Sequence, residues 1–330
     1  MPVRVVRQQA NGPPPAAAPK GKVGSVLSKG IPVGDLKSLY VKMLLYGGNG
    51  IGKTTLSCTF PKPLLLIALE QNDTGGALSV RKVAGVTHLR PGARLLPDGT
   101  PDPDYVPTNE EVLNDVERLG AELKQSNPFK TVVFDHVTVF QSAVLGRVMG
   151  EPTPEQLGKG KVSIDQWTQR AEMVKTLLRP FLDLRCNTVF IGKERDHNPP
   201  KDEKVTSSGK LMPDLRPKFL RGMQAESFVS VDLGGGAAGW LQDACDYACR
   251  LYMDEEMRTV ENRSTIQGKE TVHREVVKTG RYVRALRLAY HPNYFSRFRA
   301  DTPEALPDAI EDPSWEKIRA VIEGRPVPAK

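Results

Sequence analysis

The chain has 330 residues, 39% hydrophobic and 26% charged, enough apolar material for one large α/β core or two small ones, with one principal domain and tails as the simplest division. No apolar run approaches the roughly 20 residues needed to cross a bilayer, and the first residues lack the apolar stretch of a signal peptide, so a soluble cytoplasmic protein without membrane contact is expected. The net charge of +7 is unevenly spread, because residues 1–38 hold six basic side chains against one Asp and account for most of it; the total alone therefore does not argue for nucleic acid.

Residues 1–38 are rich in Pro, Ala, Gly and Lys and lack apolar periodicity, which predicts a flexible basic tail, either an inert leader or a weak arm for polyanions. From residue 39 to about 300 the pattern is α/β. Short apolar runs at 41–46, 64–69, 131–134 and 188–191 read as buried parallel strands, and 110–125 and 165–184 read as the helices preceding the third and fourth. Residues 90–107, dense in Pro, Gly and Asp, read as an exposed insertion. Later strands are expected at 247–252 and 283–289. Residues 301–330 are expected to form a helical tail, with Asp312 as N-cap, Pro313 at the first helical position and an end near Ile322. The four cysteines, Cys58, Cys186, Cys245 and Cys249, lack the close pairing of zinc or redox motifs and read as reduced, buried thiols.

The segment Gly47-Gly48-Asn49-Gly50-Ile51-Gly52-Lys53-Thr54 matches GxxxxGK[ST], and it lies between an apolar strand and a helical start at Thr55, as a P-loop requires. Its glycines let backbone N–H groups turn toward phosphate oxygens. In that arrangement Lys53 reaches the β- and γ-phosphates of ATP and the Thr54 hydroxyl ligates Mg2+. A magnesium-nucleotide site also needs a carboxylate at the end of a neighbouring strand, and Asp135 closes the run 131–135. Hydrolysis needs a group to orient or deprotonate the attacking water; Glu70 ends the second strand and is expected in the same crevice.

Those motifs, in that order, resemble the RecA-like recombination ATPases over residues 41–299, and more closely the compact phage single-strand annealing ATPases of that fold. The resemblance implies a mainly parallel central sheet flanked by helices, and a magnesium-dependent ATPase that oligomerises on single-stranded DNA in a bacterial host's cytoplasm, alongside recombination or replication partners. It assigns Glu70 to the hydrolytic water and Lys193 to sensing the γ-phosphate, where the family commonly has Gln or a similar polar residue. It also makes residues 194–239 a DNA-contacting loop. Between Lys193 and Arg221 eight basic side chains stand against five acids, and Lys210, Arg216, Lys218 and Arg221 are the expected phosphate contacts.

A second basic cluster at 278–299 interleaves Lys278, Arg281, Arg284, Arg287, Arg297 and Arg299 with aromatics. Single-strand contact is one reading of it; the resemblance supplies another, with Arg297 and Arg299 as arginine fingers reaching a neighbouring subunit's γ-phosphate; a plain surface is the third. Two other functions fit the P-loop equally: an ATP-driven switch or loader with a protein partner, and a small-molecule kinase.

Overall fold

The structure, a computed structural model, describes residues 40–69, 76–102, 104–151, 162–196, 228–234, 236–266, 269–300, 303 and 306–328. The expected basic tail, Glu70, and Lys210, Arg216, Lys218 and Arg221 lie outside the described residues.

Strand β1 (Lys42–Gly47) is the centre of the sheet. Its side chains are almost wholly buried, as a parallel strand covered on both faces demands. Around it run β2 (Leu64–Ala68), β3 (Val86–Leu89), β4 (Thr131–Asp135), β5 (Asn187–Asp196), β6 (Val229–Val231), β7 (Tyr247–Ile266), β8 (Lys269–Arg287) and β9 (Ala309–Glu311). Among the described residues the order is β3-β2-β4-β5-β1-β7-β8-β9, with β6 paired to β5. The pairs from β3 through β7 are parallel, while β8 and β9 close one side antiparallel. This is the expected mainly parallel sheet, flanked by helices.

Helices α3 (Asn109–Gln125), α4 (Val137–Met149), α5 (Ile164–Leu182) and α6 (Gly236–Ala244) contribute to one apolar core, with Leu44, Tyr46, Ile67, Phe134 and Phe190 of the sheet. Helices α1 (Lys53–Ser57) and α7 (Trp315–Ile322) cover the other face, against Met43, Leu45, Val189, Ile191, Leu251 and Leu286. Alternation along each strand sends neighbours to opposite cores. The starts of α3 and α5 are set by capping boxes, Thr108 with Glu111 and Ser163 with Gln166, in which side chain and backbone satisfy each other's free donors. All four cysteines are buried and free, as expected.

Phe134 is fully buried and its ring lies 5.2 Å from Phe140, 5.5 Å from Phe181 and 6.1 Å from Phe190. Phe134→Ala is expected to lower unfolding free energy by about 3–5 kcal/mol, the usual cost of deleting a buried aromatic ring. Urea denaturation followed by circular dichroism measures it, and a loss under about 1 kcal/mol would contradict this packing.

Several boundaries differ from the sequence expectations. Helix α4 was not expected after Asp135; besides the face formed by Val137, Phe140, Gln141 and Val144, Ala143 and Gly146 on other sides are buried and no residue of the helix is exposed, so its sequence shows no clear polar face. The short α2 (Gly76–Val80) and β3 were likewise not expected from the sequence. Residues 194–239 are not one loop: β5 runs on to Asp196, β6 returns antiparallel with Glu194 opposite Val231, and α6 begins at Gly236. Strands β7 and β8 continue as a ribbon well past the expected ends. Residues 301–330 are not merely a helical tail, since β9 pairs with β8 and Trp315 packs on Phe60 at 4.6 Å. The N-cap of α7 is Ser314 rather than Asp312, because Asp312 is held in a left-handed conformation with its N–H donated to the Arg284 carbonyl at 2.7 Å.

Candidate nucleotide site

The P-loop joins the buried end of β1 to α1. Gly50 and Gly52 take positive φ values of 74° and 90°, a region that side chains with a Cβ rarely adopt, and the turn carries the chain back over the strand end. Ile51 faces away from the loop's concavity and packs against the second core. Lys53 bends back so that its Nζ donates to the carbonyl oxygens of Gly47 at 2.9 Å and Gly48 at 2.6 Å. This holds a cation at the mouth of the loop, where phosphate oxygens can compete with neutral carbonyls for it.

Asp135 ends β4, in register with Ala68 on β2 and Ile191 on β5. The Thr54 hydroxyl donates to Asp135 Oδ2 at 2.7 Å, so the two groups expected to hold Mg2+ already meet. Gly76 presses against them: a Cβ built there would stand 2.2 Å from Thr54 Oγ1 and 3.0 Å from Asp135 Oδ2. A cavity of about 460 Å³ is lined by Asn49, Gly50, Gly52, Lys53, Thr54, Thr55, Gly76, Ser79, Asp135, His136 and Lys193. Among the described residues no cluster of three or more His, Cys, Asp or Glu could hold a metal. One carboxylate with one hydroxyl is instead the donor set by which Mg2+ is held together with substrate phosphates.

Lys193 reaches this cavity because β5 lies beside β1, pairing Lys193 with Gly47; its backbone N–H donates to the Thr138 hydroxyl at 3.1 Å. His136 is almost fully buried and caps α4, its Nδ1 accepting from the Val139 N–H at 3.2 Å. An accepting Nδ1 leaves the proton of the neutral ring on Nε2. Glu194, expected in the DNA loop, is instead engaged beside the P-loop: its Oε2 accepts from Arg250 Nε at 2.9 Å, and Oε1 would be 3.4 Å from a Cβ on Gly48. The Arg250 guanidinium in turn lies 4.2 Å over the Tyr294 ring. Below the loop, the Tyr46 hydroxyl donates to the Phe295 carbonyl, and burial holds this phenol well above its usual range.

Arg297 and Arg299 stand outside the cavity. Arg297 Nη1 donates to the Asp243 carbonyl at 3.0 Å, near the end of α6, and Arg299 Nη1 donates to Asp246 Oδ1 at 2.6 Å. Cations at a helix C-terminus offset its partial negative charge, so both arginines have partners within the chain. Of the expected aromatics, Tyr294, Phe295 and Phe298 pack against the cores, while Tyr282 and Tyr290 are exposed. Gly76, Ser79 and His136 were not anticipated as lining residues; the signal for His136 was its place directly after the strand-ending Asp135, whereas Gly76 and Ser79 carried none.

No curated protein matches the chain. Among solved structures, it is similar to the flagellar accessory protein FlaH from Methanocaldococcus jannaschii at 7% identity, over 78% of this chain and 91% of that chain, with a TM-score of 0.28; so slight a likeness says nothing of function. The AAA domain family matches residues 39–297, an interval that contains the P-loop, Asp135 and the sheet that brings them together. The chain belongs to that AAA domain family, with the P-loop of a nucleotide-binding ATPase domain.

Proposed function

We propose that the chain is a magnesium-dependent, RecA-like ATPase that acts as a homo-oligomer on single-stranded DNA, in recombination, repair or strand annealing. The observation that carries the nucleotide half is the 2.7 Å bond from Thr54 to Asp135 at the lip of a cavity that also contains Lys53. Lys53 exchanges its carbonyl partners for β- and γ-phosphate oxygens and offsets their charge. Thr54 and Asp135 would hold Mg2+, which would supply further neutralisation of phosphate charge when bound. Lys193 borders the γ-phosphate end from β5. Glu70, by its place after β2, orients the attacking water.

Support for the DNA half comes from connectivity and charge. Strand β5 passes Lys193 and ends at Asp196, and the chain returns antiparallel against it as the three-residue β6, Val229–Val231; the intervening sequence contains Lys210, Arg216, Lys218 and Arg221. Nucleotide state at Lys193 can thereby bias the segment that meets phosphates. In an oligomer, Arg297 or Arg299 would act on a neighbour's nucleotide only by leaving Asp243 or Asp246.

ATP turnover measured with and without single-stranded and duplex DNA tests this reading. Single-stranded DNA is expected to raise turnover several-fold. Binding should weaken with salt at a log–log slope of roughly −0.7 per phosphate neutralised, flattened when Lys210, Arg216 and Lys218 are replaced by Ala. Turnover indifferent to DNA would reject the DNA half and favour a switch with a protein partner, and phosphoryl transfer to a small acceptor would favour a kinase.

A further inference from the structure

An extended triphosphate chain that meets Thr54 and Asp135 at its γ end would carry its nucleoside toward the opposite flank of β1. Asp135 on β4 stands two strands to one side, across β5. The flank two strands to the other side is β8, and there Arg284 projects over the loop: a Cβ built on Gly52 would stand 3.0 Å from Arg284 Nη1. Gly52 lines the cavity. The Arg284 guanidinium has no hydrogen bond or ion pair with any described residue, in contrast to Arg250, Arg297 and Arg299 in the same part of the sheet.

Alternation along β8 puts Tyr282 on the same face as Arg284 and as Leu286, which packs in the core beneath α1. Register places Met253 opposite Arg284 and the exposed Tyr282 one step further out, opposite Glu255. Tyr282 is 65% exposed and Met253 46% exposed, so an aromatic ring and a thioether are presented to solvent directly beyond the P-loop. On the Asp135 side the cavity wall is instead built of polar groups, Thr54, Ser79, His136 and Lys193. A polar wall suits the charged, metal-bearing end of the ligand, and an exposed apolar ledge beside a guanidinium suits the end that carries a flat base.

We propose that Tyr282, Met253 and Arg284 form the subsite for the nucleoside end of the bound nucleotide, with a purine base lying on the Tyr282 ring beside Met253 and Arg284 donating to the α-phosphate. The proposal rests on the nucleotide reading of the P-loop and extends it to the part of the ligand that sequence motifs leave unassigned. Stacking suits any base and favours the larger purine surface, and a guanidinium is the side chain best shaped for phosphate oxygens. The subsite makes the β7–β8 ribbon responsible for preferring nucleotides over bare polyphosphate.

Equilibrium binding of a non-hydrolysable ATP analogue and of inorganic tripolyphosphate, both with magnesium, separates the roles in the full chain. Tyr282→Ala is expected to weaken the nucleotide about tenfold and leave tripolyphosphate unchanged, while Tyr282→Phe, which keeps the ring, stays within about twofold of wild type for both. Arg284→Ala is expected to weaken both ligands about tenfold, because tripolyphosphate also fills the α position. Unchanged nucleotide affinity in Tyr282→Ala, or an equal loss of both ligands in that variant, overturns the base platform. Unchanged affinities in Arg284→Ala overturn the α-phosphate contact. A wild-type chain that binds tripolyphosphate as tightly as the nucleotide also overturns the subsite while leaving the P-loop reading intact, whereas one that binds neither ligand removes both.

Discussion

Lys53→Ala is expected to reduce ATP turnover by at least about a hundredfold while leaving the fold in place. The Lys53 ammonium is the cation at the head of the P-loop, and removing one preorganised charge from a site of developing negative charge has an effect of that order or greater. Stability is expected to change little, for a local reason. Lys53 Nζ donates to the carbonyls of Gly47 and Gly48, and Lys53 itself lines a cavity of about 460 Å³, so removing its side chain opens both carbonyls to that space. Water can therefore replace the ammonium, so the carbonyls avoid the penalty of about 1–3 kcal/mol for unsatisfied buried groups. Steady-state phosphate release and a thermal melt on the same preparation test both parts. A folded variant with wild-type turnover would remove the P-loop from the mechanism.

Gly76→Ala is expected to damage the same site from the opposite side. The added methyl would arrive 2.2 Å from Thr54 Oγ1 and 2.8 Å from Thr54 Cβ, which is closer than van der Waals contact allows, so the Thr54 hydroxyl or α2 has to move. Either movement disturbs the Thr54–Asp135 pair that would hold magnesium. Turnover is expected to fall by about tenfold to a hundredfold at limiting magnesium, and the half-saturating magnesium concentration should rise. Intrinsic helix preference works in the other direction, since alanine within a helix is favoured over glycine by roughly 0.5–1 kcal/mol. A destabilised fold is therefore not the expected cause of the loss. Magnesium titration of the ATPase rate decides the matter, and a curve superimposable on wild type would show that Gly76 has room to accept a side chain.

The contrast between Lys53 and Gly76 shows how much of the site was legible beforehand. Lys53, Thr54 and Asp135 were readable because their chemistry is tied to local pattern: a glycine-rich turn between strand and helix, and an acid closing a buried apolar run. Gly76 was not readable, because its requirement comes from two side chains distant in sequence. Lys193 was assigned to the γ-phosphate through the family resemblance alone; in the structure it stands on β5 opposite Gly47 of β1. Glu194, one residue on, was assigned to a loop because a charged run containing prolines follows it; its ion pair with Arg250 is a contact across 56 residues, which no local pattern encodes. The same holds for α4, whose burial on several sides removes the amphipathic period that reveals a surface helix.

By itself, the sequence determined that this chain contains a phosphate-binding loop on an α/β sheet, because backbone turns and buried parallel strands impose strict local demands on residue type. It also located the acid that meets the loop. Tertiary structure alone decided which distant groups surround those residues: the closeness of Gly76 to Thr54 and Asp135, the engagement of Arg297 and Arg299 by carboxylates of their own chain, the addition of β9 to the sheet, and the position of Arg284 over Gly52. These depend on strand order and register. A one-residue slip of β8 would turn Arg284 to the other face of the sheet, and nothing in the local sequence around Arg284 identifies the strand or the loop it faces.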